Sequence, residues 1–146
     1  MKRNSQTDIY SNEKIHSYIF HSSFCSINSV EFLLKKLKKQ LHIPQRIYFA
    51  IWISVNEAFS NAIIHGNKFN PNKKVKLQIQ LKEQNKLYFK IKDEGNGFDY
   101  ENVPNHNQSK LIDSPYGRGV FNMKELAHQI SYSHQEREVA LCFNLA

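Results

Sequence analysis

Apolar and polar positions along this 146-residue chain recur with periods that divide it into elements. Ile15 to Phe20 is a short β-prone stretch. Ser26 to Glu31 is rich in helix-capping residues, with Asn28 and Glu31 at capping-box spacing. Val30, Leu33, Leu34, Leu37 and Leu41 then follow i, i+3, i+4, i+7, i+11, which predicts an amphipathic helix. Pro44 suits the first turn of a second helix, from about Gln45 to His65, closed by Gly66. After a turn-rich loop over 67–72, Val75, Leu77, Ile79 and Leu81 alternate with polar residues. Past Glu83-Gln84-Asn85, Leu87, Phe89 and Ile91 alternate again, so the two runs predict a β-hairpin. Periodicity disappears from Asp93 to Tyr116, and so long an irregular stretch in a compact domain is usually functional. A short helix carrying Val120, Met123, Leu126 and Ala127 follows. Ile130 to His134 and Val139 to Leu145 form a second hairpin. The order predicts an α+β two-layer sandwich, with helices on one face of a mixed, mostly antiparallel sheet. Residues 1–13 read as a flexible N-terminal tail and 14–146 as one domain.

The second helix carries a puzzle. Glu57, Asn61 and His65 are spaced i, i+4, i+8 and share one polar stripe. Around them lie Ile47, Phe49, Ala50, Ile51, Trp52, Ile53, Val55, Ala58, Phe59, Ala62, Ile63 and Ile64, a composition that predicts a buried helix. A carboxylate there is costly unless something compensates it.

Composition changes this picture little. Hydrophobic residues make up 40% and charged residues 23%, ordinary globular values. The longest apolar run, Ile47 to Val55, is too short to span a membrane, and the polar N-terminus lacks a signal-peptide core. Cys25 and Cys142 lie far apart without metal-ligand spacing and read as reduced, buried thiols. A cytoplasmic protein without membrane contact is expected. The net charge of +7 invites a nucleic-acid reading. However, Lys35, Lys36, Lys38 and Lys39 fall on the polar side of one helix, and Lys74, Lys76 and Lys82 alternate out of one strand. Both patterns read as solvated faces, so no direct nucleic-acid binding is expected.

Two glycine motifs bear on the stripe. Asp93-Glu94-Gly95-Asn96-Gly97-Phe98 begins where the second strand of the first hairpin ends. Its alternate glycines allow a ligand to approach the backbone closely, while oxygen ligands are missing where a calcium loop needs them. Gly117-Arg118-Gly119-Val120 opens a helix, whose free N–H groups and dipole favour an anion. Neither a P-loop nor a strand–GxGxxG–helix unit is present.

In combination and in order, these pieces resemble the GHKL (Bergerat-fold) ATPase superfamily. Asn56 to Gly66 matches its N-box, Asp93 to Phe98 its first glycine box, and Gly117 to Val120 its second. The resemblance runs from about residue 14 to the C-terminus. The NEA-x-x-NAI-x-HG wording, in a solitary domain with no phospho-acceptor hairpin, is most similar to the anti-sigma factor serine/threonine-protein kinases. Asn56 stands where that family usually has Ser.

The resemblance implies ATP and Mg²⁺ as cofactors, with Asn61 as the metal ligand and Glu57 as general base toward the attacking hydroxyl. It implies that Asp93 accepts a hydrogen bond from the adenine amino group, with Gly95 and Gly97 allowing close packing. Gly117, Arg118, Gly119 and Val120 would hold the phosphates beneath a lid at about 99–116. Partners would be a sigma factor, sequestered, and an anti-anti-sigma protein, phosphorylated on serine; a homodimer is compatible. The rival expectation is a non-catalytic ATP-binding module that works by sequestration alone. His65 reads as helix-end structure rather than a nucleotide contact. Trp52 and Phe59 read as core, and Lys110 as a lid residue able to reach a phosphate.

Overall fold

The computed structural model describes residues 14–95 and 123–146. The expected lid, Gly97, Phe98, Lys110 and the whole of Gly117 to Val120 lie outside them. The described elements run β1 (Ile15–His21), α1 (Cys25–Leu41), α2 (Gln45–Asn61), a π-helical turn (Ala62–Gly66), β2 (Lys74–Lys82), β3 (Lys86–Lys92), a helical turn at 123–126, β4 (Gln129–Ser133) and β5 (Glu138–Asn144).

The five strands form one sheet in the order β1-β2-β3-β5-β4. All four pairings are antiparallel, which corrects the expectation of a mixed sheet. The alternation in sequence is the reason the sheet has two unlike faces. In register, Tyr18, Leu77, Ile91, Val139 and Tyr132 cross the sheet as one inward row. His16, Ile79, Phe89, Leu141 and Ile130 form a second such row. These rows pack under the helices, with Val75, Leu77, Ile79, Leu87, Phe89 and Leu141 fully buried. An edge-to-face contact joins the layers, Phe20 of β1 against Phe59 of α2 at 5.4 Å, and within the sheet Phe89 meets Phe143 edge to face at 5.9 Å.

Helix α1 begins earlier than the capping pattern suggests. Its start is at Cys25, whose N–H donates to Ser23 Oγ at 3.1 Å, and Asn28 and Glu31 lie inside the helix. Val30, Leu34 and Leu37 supply its buried stripe, while Lys35, Lys36 and Lys39 face out. The helix ends where His42 takes the left-handed conformation (φ 52°). Lys38 links the two helices, hydrogen-bonding the Gln45 side chain and sitting over the Tyr48 ring at 4.8 Å.

Helix α2 lies over β3 and β5. With the π-turn it forms a continuous helix from Gln45 to Gly66, whose 22 residues and mean hydropathy of 1.3 would suffice to cross a membrane. The apolar run Ile47 to Val55 thus understates the length of the element. Its apolarity belongs to the core, since Ile51, Val55, Ala58, Phe59 and Ile63 are buried against the sheet. The helix is not buried all round, however. Phe49 is 55% exposed, lining a surface cavity with Arg46, Leu126 and Phe143. The cysteines are free, but only Cys142 is buried; Cys25 sits exposed at the start of α1.

Candidate functional site

The polar stripe of α2 ends in a change of helix type. From Ala62 the backbone widens to i→i+5 bonding, closed by the Asn67 N–H donating to Ala62 O at 2.8 Å. Such π-turns occur mostly inside α-helices at functional sites. Glu57 and Asn61 lie one turn apart on the regular part of the helix. His65 lies within the π-turn, where burial lowers its pKa from the usual histidine value.

Asn61 is 5% exposed, and its Nδ2 has no hydrogen-bond partner among the described residues. A buried amide of this kind costs free energy unless a ligand meets it. Glu57 is half-buried, and burial raises its carboxyl pKa. Asn56, beside it, is turned back on its own helix, its Nδ2 donating to Trp52 O at 2.9 Å. Trp52 is partly buried against the core and Phe59 is wholly inside it.

At the end of β3 the chain turns into the first glycine motif, directly against the π-turn. Asp93 is 4% exposed, and its Oδ1 accepts the Gly95 N–H at 2.8 Å. A Cβ on Gly66 would lie 2.4 Å from Asp93 Cγ, and one on Gly95 would lie 1.5 Å from Gly66 O. The N-box and the first glycine box are therefore in backbone contact, and both glycines are required by space. Asp93 and the end of the stripe helix meet at one place.

Two residues that hold this junction carried no signal in the sequence. Asn67 is 1% exposed, its Oδ1 accepting the Glu94 N–H at 2.8 Å and its Nδ2 donating to Lys74 O at 2.9 Å. It ties the π-turn to both β2 and the glycine loop. Arg137, at the end of the β4–β5 turn, accepts the Asp93 N–H on its carbonyl at 3.2 Å. Its Nη1 donates to Gly95 O at 3.0 Å. It holds a left-handed backbone (φ 54°), and its buried Nε has no partner among the described residues. An arginine beside Glu136 and Glu138 in a polar turn reads as surface charge; only its position over Gly95 marks it.

The chain matches the family model of the histidine kinase-like ATPase domain over residues 27–143, from α1 to the end of β5. It belongs to that family, a branch of the GHKL-type ATPases. The five-stranded antiparallel sheet with its helices is consistent with the fold of that family. Membership of that family implies ATP as the ligand of the domain. No curated protein matches the chain.

Proposed function

We propose that this protein is an anti-sigma regulatory kinase, transferring the γ-phosphoryl group of ATP to a serine of an anti-anti-sigma partner and sequestering a sigma factor. The observation that carries this reading is the pairing on α2 of a half-buried carboxylate, Glu57, with a buried amide of unmet hydrogen-bonding capacity, Asn61. A domain that merely held nucleotide would gain nothing from the carboxylate.

The residues fit Mg²⁺–ATP. Asn61 and Glu57 present hard oxygen donors on one helix face, and a hard ion that keeps its waters needs few protein ligands when phosphate oxygens complete its shell. Mg²⁺ held at Asn61 Oδ1 would neutralise phosphate charge. Glu57 would take the proton of the partner serine hydroxyl as the new O–P bond forms and ADP leaves. Its raised pKa brings it nearer working pH, which suits a general base. Asp93, anchored by the Gly95 and Arg137 backbones, would accept a hydrogen bond from the adenine amino group. Gly66 and Gly95 keep side chains out of that corner.

The test has two parts. A hundredfold excess of Mg²⁺–ATP over its Kd should stabilise the protein by about 2.7 kcal/mol. Incubation with an anti-anti-sigma protein should then yield phosphoserine. Absence of stabilisation removes the nucleotide assignment; stabilisation without phosphoserine leaves a module acting by sequestration alone.

A further inference from the structure

The outward face of the sheet carries a charge pattern that nucleotide chemistry does not use. Strand β2 points Lys74, Lys76 and Lys82 outward, and β3 points Lys86, Lys90 and Lys92 the same way. The register sets Lys76 directly opposite Lys92, and Lys82 directly opposite Lys86. Like charges directly opposed across strands destabilise a sheet. Among the outward positions of the five strands the one acidic residue is Glu138, 3.9 Å from Lys90. Lysines often guard sheet edges against aggregation, but β2 and β3 are interior strands here. A merely solvated face would mix signs. This one keeps unfavourable pairs.

We infer that the outward face of β2 and β3 is a docking surface for an acidic protein. Charge complementarity selects the occupant. A second copy of this chain would bring the same lysines against each other across a two-fold axis. Unspecific binding of single-stranded nucleic acid relies on open aromatic platforms. Tyr88, on this face, lies under Lys82 Nζ at 4.5 Å and stands opposite Cys142 on β5. Ile19, 69% exposed, continues the Lys76–Lys92 row onto β1, and Ile15, four residues earlier on the same strand, is 53% exposed. Acidic protein surfaces that also present apolar side chains match this combination of charge and isoleucine.

The surface is independent of the nucleotide site, so the test separates them. Full-length protein is treated in cell extract with a carbodiimide, which joins lysine amines directly to carboxylates, and the cross-linked peptides are sequenced. Parallel samples receive a single-stranded oligonucleotide or phosphatidylserine vesicles. The expected result is cross-links from Lys76, Lys86, Lys90 or Lys92 to Asp or Glu of a partner protein. The double variant Lys76→Glu, Lys86→Glu should weaken binding of that purified partner at least tenfold. Because each change turns a like-charge pair into an opposite one, the variant's Tm should rise by about 1–4 °C, with the ATP-induced shift unchanged. Partner affinity equal to wild type overturns the proposal. So do cross-links confined to other faces or to a second copy, or oligonucleotide or vesicle binding through these lysines with no protein joined.

Discussion

Gly95 sits so close to Gly66 that a methyl group on it would overlap the Gly66 carbonyl oxygen at 1.5 Å. The two residues lie 29 positions apart, one ending the π-turn and the other following β3. Their contact sets where Asp93 stands relative to the helix bearing Glu57 and Asn61.

Gly95→Ala meets backbone, which cannot swing away. Overpacking of this kind should lower stability by about 1–3 kcal/mol in urea titration and abolish the ATP-induced Tm shift. Gly66→Ala meets the Asp93 carboxyl instead, at 2.4–2.8 Å. That side chain can rotate, so the fold should survive while the ATP shift falls. A Gly66→Ala protein that binds ATP normally would show that the Asp93 orientation is dispensable.

Asp93→Asn and Asn61→Asp are nearly isosteric, so both proteins should fold. Both should lose most of the ATP-dependent thermal shift. Asn61→Asp places a carboxylate where the buried amide lacks a partner among the described residues, adding a charge that repels phosphate. Retention of the full shift in either would remove that residue from the nucleotide site.

Glu57→Gln should retain ATP binding and lose phosphoserine formation, which a filter assay of labelled partner reads. Its stability carries a pH signature. Burial raises the folded pKa of Glu57 above its unfolded value, so its contribution is complete at low pH and is lost as pH rises through the folded pKa. The variant should therefore melt above wild type at pH 7.5, with the gap closing toward pH 4. His65 has the opposite sign, since burial lowers its pKa. Its contribution is present above the usual histidine value and lost as pH falls through the folded one, so His65→Gln should flatten that acid limb.

Arg137 separates side chain from backbone. Arg137→Gly relieves the left-handed backbone but deletes the hydrogen bond to Gly95 O; Arg137→Ala deletes it and keeps the strain. Alanine should cost about 1.5–3 kcal/mol, glycine less, and both should weaken ATP binding alike. Equal ATP affinity in wild type and both variants would reduce Arg137 to a fold residue.

The sequence by itself determined which residues form strands and helices, because the periods of 2 and 3.6 follow from local backbone geometry. It also supplied the Glu57–Asn61 spacing and the order of the glycine motifs, since one turn of helix is enough to align the first and adjacency the rest. The start of α1 at Cys25 escaped it, because Asn28 and Glu31 satisfy a capping pattern that the chain does not use. Tertiary structure decided what no window of neighbours contains. The return of β5 to pair with β3 made the sheet antiparallel throughout and carried Arg137 to Gly95. The helix widened to a π-turn past Asn61, and the register of β2 on β3 set lysine against lysine. Each of these depends on which distant backbones meet, and that is settled by burial of the shared core.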